Sequence, residues 1–186
     1  MKSLNQWVSD AYENALAHGW HEETRTIERV CNLISGEVAE AYSEKQHGRP
    51  DVYFNEERNG KPEGFYYELV DVIIRILDYI GEVRAKRRKN QGSEILWRFD
   101  DDETFETLAQ SGDIETKSWT FDDLCARLFF RISRRPYRVN TLDEWRFVLI
   151  DIAAYMTFNG QDVETMVQRK HDYNVGRAWK HGDKVF

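Results

Sequence analysis

The chain has 186 residues, enough for one domain with a normal core, and 32% of them are charged. Its net charge of -7 argues against a protein that mainly binds nucleic acid phosphates, so we expect no nucleic acid partner. The N-terminal residues lack the apolar core of a signal peptide, and no stretch approaches the roughly 20 apolar residues of a membrane helix. Cys31 and Cys125 both stand in apolar patterns, which predicts buried, reduced thiols in a cytoplasmic protein.

Apolar residues recur at helical spacing along most of the chain and predict an all-α protein. We expect the first helix to end at Gly19, and Asp122 and Thr141 are candidate N-caps of later helices. Turn residues predict a loop over 51–64, and the polar stretch 90–118 is assigned mainly to loop, with room for a short strand or helix. The predicted helices can form a bundle within one domain, 1–186, and cover residues 3–17, 24–46, 62–89, 121–134, 142–158 and 161–179.

Two short pairs of acidic residues stand in the two most apolar helices. Glu37 and Glu40 belong to the second helix, where Glu37 shares a face with Ile34. Glu68 and Asp71 open the third helix, which is apolar around most of its circumference and should therefore be buried. An ionised carboxylate buried without a partner costs several kcal/mol or more, so these acids need nearby cations.

A divalent cation is the simplest partner for most of these acids. Arg75 lies on the polar strip of the third helix and can neutralise one carboxylate. The donors are all oxygen, which favours Mg²⁺, or Mn²⁺, over Zn²⁺. His18 and His21 have no third nitrogen or sulfur ligand in register, so we expect them at the surface. Two ordinary solvated helix faces are the alternative interpretation of the acidic pairs.

A faint internal repeat relates the third predicted helix to the fifth. When Glu68 is aligned with Glu144, the apolar residues of 72–80 fall on those of 148–156, and Asp71 falls on Phe147. The match suggests a helix that keeps the packing face and has lost the metal ligands. Any two apolar helices can be aligned in this way, so coincidence remains an alternative.

Four segments and the tail resemble a known family. The segments are Glu13-Asn14-Ala-Leu-Ala-His-Gly19-Trp20, Ser35-Gly-Glu37-Val-Ala-Glu40-Ala41, Asn59-Gly-Lys-Pro-Glu-Gly64 and Glu68-Leu-Val-Asp71, and the tail contains Lys170-x-x-Tyr173-Asn174-x-x-Arg177. In this order they resemble the MazG-like nucleotide pyrophosphohydrolases of the all-α NTP pyrophosphatase superfamily. The similar regions are roughly 10–81 and 159–186, a little over half the chain. The resemblance implies a MazG-like helical bundle.

The resemblance also implies a reaction, the Mg²⁺-dependent hydrolysis of a nucleoside or deoxynucleoside triphosphate between the α and β phosphates. The products would be a monophosphate and pyrophosphate. Glu37, Glu40, Glu68 and Asp71 match the family's metal-binding and catalytic acids. Mg²⁺ is usually shared between a few carboxylates and substrate phosphates, in agreement with this assignment. The sequence does not fix which carboxylate accepts the proton of the attacking water, and Glu40 and Glu44 are the candidates.

Basic residues of the tail are candidates for the substrate phosphates. Lys170, Asn174 and Arg177 match the family's tail, and their spacing of i, i+4 and i+7 predicts one helix face that acts as a clamp. Arg75 and Lys184 are further candidates for substrate contacts. Favourable interaction of the tail cations with the helix dipole is the alternative explanation.

Two residues near the end of the first helix are candidates for the nucleobase. Trp20 could stack on the base, and Asn14 could form a hydrogen bond with it. An aromatic residue that follows a helix-ending glycine also often fills the core, so packing is the alternative role for Trp20.

The chain departs from the compact family form by an insertion at about 82–158, which is predicted to be mostly helical. In the compact form the basic tail follows the second acidic helix closely. The insertion could complete the bundle from within the chain, or it could be a lid or a specificity element. Compact members build their sites by oligomerisation, so a monomer and a homo-oligomer, either dimer or tetramer, both stay open.

Other functions remain as alternatives. A non-catalytic regulatory protein could bind nucleotides or nucleic acid through the basic runs 84–89 and 131–138. We prefer to explain these runs as charges that complement helix ends. An enzyme similar to phosphoribosyl-ATP pyrophosphohydrolase would share the helical acids, and a general phosphatase would release orthophosphate instead of pyrophosphate.

Overall fold

A computed structural model describes residues 1–90, 97–134 and 141–179 of the chain. Within these residues the protein is all-α, as predicted, with seven α-helices and one two-stranded hairpin. The helices are α1 Leu4–Ala17, α2 Ile27–Gln46, α3 Phe65–Lys89, α4 Phe105–Gln110, α5 Phe121–Ser133, α6 Leu142–Phe158 and α7 Val163–Val175. Across the described ranges, no helix has both the length and the apolar character needed to cross a membrane.

Side chains at the N-termini explain where several helices begin. Ser3 caps α1, Thr26 caps α2 and Thr120 caps α5, each by accepting a backbone hydrogen bond from the first turn. The prediction that Asp122 is a cap was therefore wrong. It lies in the first turn of α5, where its charge complements the helix dipole. Thr141 does precede α6, but its side chain makes no capping hydrogen bond with the described residues.

A short hairpin precedes α3 in the region predicted to be only loop. Strand β1, Tyr53–Asn55, pairs antiparallel with β2, Lys61–Glu63. Asn59 and Gly60 join the strands with positive φ angles of 55° and 69°, in the left-handed region. Helix α3 consequently begins at Phe65 rather than at 62 or 63. Strands of three residues are too short to show the alternation by which a strand is detected.

Helix α3 is the central helix of the described fold. It packs against α1, α2, α6 and α7 and is buried around most of its circumference, as predicted. Helix α1 approaches it closely at Gly81, where a Cβ atom would lie 2.5 Å from the Cβ of Tyr12. On α6, Trp145 packs edge-on against Tyr79 with 5.5 Å between ring centroids. The insertion therefore contributes to the same core as the acidic helices.

The pair α5–α6 has the same pattern of burial as the pair α2–α3. All nine residues of 148–156 are buried, and so are seven of the nine residues of 72–80, with Ile74 and Arg75 partly exposed. A second correspondence, which we did not predict, relates α2 to α5 across 94 positions. It includes the N-caps Thr26 and Thr120 and the buried pairs Val30 and Leu124, Cys31 and Cys125, Ile34 and Leu128, and Val38 and Ile132. Helix α5 packs on α2, and α6 packs on α3.

Candidate metal centre

Three of the four predicted acids lie together where α2 packs on α3. Glu37, Glu40 and Glu68 each offer one carboxylate oxygen, and these three atoms lie within 4.8 Å of one another. The side chains of Glu37 and Glu68 are buried, and that of Glu40 is exposed. The i, i+3 spacing on α2 places both of its acids toward the first turn of α3. The cluster is therefore open to solvent on the side of Glu40.

The fourth acid, Asp71, is ion-paired with a lysine of α7. Its carboxylate lies 2.7 Å from Nζ of Lys170, which also donates a hydrogen bond of 3.1 Å to the carbonyl of Pro62. Lys170 is only 1% exposed. Burial lowers the pKa of Lys170, but the charges of Asp71, Glu68 and Glu37 outweigh burial, so its pKa is raised. Lys170, which we assigned to the substrate, thus contacts the acids in this structure.

Burial disfavours the charged forms of both inner carboxyls. It raises the pKa of Glu68 to about 8, with Asp71 adding to the effect and Lys170 opposing it. Burial also raises the pKa of Glu37, although Arg75, whose guanidinium lies 2.5 Å from its carboxylate, opposes this. A divalent cation would stabilise the charged forms of both carboxyls. The all-oxygen donor set fits Mg²⁺ or Mn²⁺.

The tail residues do not share one helix face, because α7 ends at Val175. Lys170 and Asn174 are one turn apart on α7, whereas Arg177 follows the helix, so the predicted arrangement of the clamp was wrong. Asn174 is buried, and its Oδ1 has no hydrogen-bond partner among the described residues. Buried polar atoms normally have a partner, so Asn174 is a candidate ligand contact. Lys184 lies outside the described residues.

Two cations next to the hairpin turn, Arg58 and Lys61, form ion pairs with Glu63 at 3.4 and 2.9 Å, and they also act on charged groups of the site. Burial lowers the pKa of Arg177, and repulsion from the like charge of Arg58 lowers it further. Tyr173 and Asp71 act in the opposite direction. The Tyr173 hydroxyl donates a hydrogen bond of 3.1 Å to the carbonyl of Arg58. The charge of Lys61 opposes the rise in the pKa of Glu68. We did not predict Arg58 or Lys61 as site residues, although two cations around a turn just before the acidic helix were a usable signal.

The end of α1 adjoins the segment that follows α7. The ring nitrogens of His18 lie 2.8 Å from the carbonyl of Asn14 and 3.0 Å from that of Arg177. His18 is buried, so its predicted surface position was wrong. Gly19, with φ of 77°, ends α1 as predicted, and the half-buried Trp20 follows it. Asn14 and Trp20 therefore stand on segments close to the backbone of Arg177.

A buried ionic network attaches the loop after α1 to α3. Nε2 of His21 lies 2.6 Å from Asp78, and Arg25 donates to Asp78 at 2.8 Å and to Glu82 at 2.5 Å. The side chain of His21 is only 7% exposed, so the prediction that it lies at the surface was wrong. Both acids of this network have nitrogen partners, which explains why they can be buried without a metal ion.

A surface depression lies elsewhere on the described part of the molecule. Its volume is about 700 Å³, and it is lined by the start of α1 and residues 98–104. Its charged side chains, including Asp10, Arg98 and Asp101, are at least partly exposed. The carboxylate cluster is the stronger candidate site, because perturbed, buried titratable groups mark sites better than the volume of a shallow depression.

Comparison of the chain with known protein families, with curated proteins and with solved structures gives no match in any of the three. Glu37, Glu40 and Glu68 lie together in the structure, and Asp71 lies beside them in an ion pair with Lys170.

Proposed function

We propose that the protein is a Mg²⁺-dependent pyrophosphohydrolase of nucleoside or deoxynucleoside triphosphates, similar to the MazG-like enzymes and active in the cytoplasm. It would cleave between the α and β phosphates and release a monophosphate and pyrophosphate. The main support is the cluster of Glu37, Glu40 and Glu68, whose oxygens lie within 4.8 Å of one another. Cationic side chains border this cluster, and a triphosphate needs both kinds of group.

Glu37, Glu40 and Glu68 would hold the metal ion, with Asp71 beside them. When bound, a Mg²⁺ or Mn²⁺ ion would neutralise phosphate charge and make hydroxide available near neutral pH. Lys170 fixes the Asp71 carboxylate and offsets part of the negative charge from the buried side. We therefore revise its role from phosphate clamp to a positioning residue for Asp71.

Glu40 is the better candidate to accept the proton of the attacking water. The other candidate, Glu44, already accepts hydrogen bonds from Arg49 at 2.6 Å and from the hydroxyl of Tyr53 at 3.2 Å. Glu40 is exposed and belongs to the cluster, so one of its oxygens can face a ligand while the other faces water. A general base must lie within hydrogen-bond reach of the proton that it removes.

Arginines around the cluster would bind the phosphates. Arg75 keeps 35% of its side chain exposed while it pairs with Glu37, and Arg177 is half-buried near Asp71. Guanidinium groups bind phosphate oxygens through paired hydrogen bonds. Oδ1 of Asn174, which has no hydrogen-bond partner among the described residues, could accept a hydrogen bond from the sugar or base.

Trp20 and Asn14 remain our candidates for the base, because their chain segments adjoin Arg177. Lys184 remains a candidate phosphate contact from the sequence alone. The insertion supplies α5 and α6 to the bundle, so the site can be built within one chain; a homo-oligomer is compatible with the same site.

The test is a product assay with a panel of NTPs and dNTPs in the presence of Mg²⁺. We expect equal amounts of monophosphate and pyrophosphate. Glu37→Gln and Asp71→Asn should each reduce the rate at least 100-fold while the circular dichroism at 222 nm stays unchanged. The matched control is Glu28→Gln, which removes an exposed carboxylate from the same helix as Glu37 and should keep full activity. Orthophosphate as the sole product, or unchanged rates in both site variants, would refute the proposal.

A further inference from the structure

On a second face of the molecule, residues of α5 and α6 align in sequence with the acids of the candidate metal centre, but most of them are not acidic. The correspondence of α2 with α5 and of α3 with α6 aligns Glu37 with Arg131, Glu40 with Arg134, Asp71 with Phe147 and Arg75 with Asp151. The ion pair between the helices is reversed. In the first pair Arg75 binds Glu37 at 2.5 Å, and in the second Arg131 binds Asp151 at 2.5 Å. Glu37 and Glu40 of the carboxylate cluster correspond to arginines and Asp71 to a phenylalanine, whereas Glu68 corresponds to another acid, Glu144.

The second face pairs exposed aromatic rings with cations. We define the cation–aromatic face by Arg127, Phe130, Arg131, Arg134, Phe147 and Phe158. The exposed fractions are 59% for Phe130, 47% for Phe147 and 39% for Phe158. Arg134 lies 4.6 Å from the ring centroid of Phe130, Arg131 lies 5.3 Å from that of Phe147, and Lys117 lies 5.1 Å from that of Phe158. Arg127 covers the half-buried ring of Trp119 at 4.7 Å.

These residues form one continuous surface. On α5, positions 127, 130, 131 and 134 follow the i, i+3, i+4, i+7 spacing of a single helix face. On α6, positions 147, 151 and 158 also share a face. Asp151 joins the two helices, because it accepts hydrogen bonds from Arg127 at 3.0 Å and from Arg131 at 2.5 Å.

The surface is positive although the chain as a whole is negative. Three arginines and Lys117 stand against one buried acid, Asp151. Among the described residues, three acids lie toward the ends of this surface. Asp123, one turn before Arg127, is held by the hydroxyl of Thr120 at 2.6 Å, the helical register places Glu144 one turn before Phe147, and Glu115 lies two positions before Lys117. The net charge of -7 for the whole chain therefore hides a local positive surface.

We propose that the cation–aromatic face binds single-stranded nucleic acid. A single strand presents phosphates and flat bases in alternation, and proteins that bind it combine cations with aromatic rings on which bases stack. A protein-binding surface would instead have a contiguous apolar centre with a polar rim, whereas here a cation lies against each exposed ring and much of the ring stays accessible. The exposed rings on two helix surfaces suit an extended strand better than a small ligand, which needs a concave site. This inference does not depend on the proposed hydrolase activity.

The test is fluorescence anisotropy with a labelled single-stranded 20-mer, as DNA and as RNA, in EDTA. EDTA excludes metal-dependent binding at the carboxylate cluster, so the two proposals fail separately. We expect measurable binding in 50 mM KCl. If three phosphates are contacted, the logarithm of the binding constant should fall with a slope of about -2 against the logarithm of salt concentration, or about 20-fold between 50 and 200 mM.

Two ring variants locate the binding surface. Phe130→Ala and Phe147→Ala should each weaken binding about tenfold, because each removes one stacking platform. The two residues are 59% and 47% exposed, so the fold should be kept. The matched control is Phe129→Ala, which removes a ring that is 37% exposed from the other flank of the same helix and should leave binding unchanged.

A charge variant completes the test. Arg134→Gln should weaken binding and flatten the salt dependence, whereas Arg88→Gln, which removes one exposed charge at the end of α3, should do neither. The inference is overturned if the wild-type protein does not bind, if Phe129→Ala weakens binding as much as Phe130→Ala does, or if binding requires Mg²⁺ and is lost in Glu37→Gln. Self-association in the ultracentrifuge that Phe130→Ala abolishes would also overturn it, because the face would then bind a second copy of the chain.

Discussion

The ion pair between Lys170 and Asp71 gives the sharpest test of the site's electrostatics. Lys170 is 1% exposed, and its ammonium lies 2.7 Å from the Asp71 carboxylate and near those of Glu68 and Glu37. Replacement of Lys170 by Met keeps most of the apolar side chain and removes the charge. In EDTA, no metal ion can take over its role.

We expect Lys170→Met to lower the free energy of unfolding by about 3 to 5 kcal/mol, the usual effect of removing one partner of a buried ion pair. An attraction of about 6 kcal/mol follows from Coulomb's law at 2.7 Å with an effective dielectric constant of about 20, which leaves room for this loss after the cost of desolvation. For a chain of this length, each kcal/mol corresponds to about 2 to 4 °C in Tm.

The double variant distinguishes a coupled pair from two separate contributions. Asp71→Asn alone leaves Lys170 without its nearest charge and should also destabilise the protein. Lys170→Met combined with Asp71→Asn removes both charges, so its loss should be smaller than the sum of the single losses by about 2 kcal/mol or more. The measurement is urea unfolding at pH 7 in EDTA, followed by circular dichroism.

The matched control is Lys86→Met. Lys86 pairs with Glu82 at 2.7 Å, but half of its side chain is exposed, so the substitution should cost less than about 1 kcal/mol. Additive losses in the double variant, or a loss for Lys170→Met no larger than that for Lys86→Met, would refute the argument that Lys170 neutralises a buried acidic cluster.

Two further predictions concern stability. In EDTA the free energy of unfolding should fall as pH rises from about 5 to above 8, because Glu68 has a pKa of about 8 when folded against 4.5 as its ordinary value. Between these pH values the folded chain keeps a proton on Glu68 that the unfolded chain has released, so the free energy of unfolding should fall by an amount on the order of 3 to 5 kcal/mol. If Glu68→Gln shows the same dependence of stability on pH, Glu68 is not its cause. Gly81→Ala should lower Tm, because its Cβ would lie 2.5 Å from that of Tyr12, whereas Gly36→Ala, with nothing within 4 Å, should raise stability by about 0.5 to 1 kcal/mol. Equal effects of the two alanines in thermal unfolding would show that the close approach of α1 and α3 is not what requires glycine.

The sequence predicted the features that depend on residues a few positions apart, namely the long helices and their buried faces. The long helices follow from apolar residues at helical spacing, and Glu37 and Glu68 are buried because they stand inside apolar faces. The i, i+3 spacing also sufficed to bring Glu40 to the same cluster. The hairpin before α3 was missed because strands of three residues carry almost no periodic signal.

The helical face of the tail was predicted wrongly for a similar reason. The spacing of Lys170, Asn174 and Arg177 fits one helix, but spacing does not fix the end of a helix, and α7 stops before Arg177. His18 and His21 were expected at the surface because their partners, a backbone carbonyl of the tail and two acids of α3, are distant in sequence.

The sequence by itself determined the helical class and the acids on two apolar helix faces, since both depend on neighbours within a few residues. Only the tertiary structure decided which charges meet. Lys170 reaches Asp71 across 99 positions of the chain, and Arg131 reaches Asp151 across 20, to form the reversed counterpart of the pair between Arg75 and Glu37. The physical reason is that the interaction between two charges depends on their distance and burial in three dimensions, whereas the composition gives only the net charge.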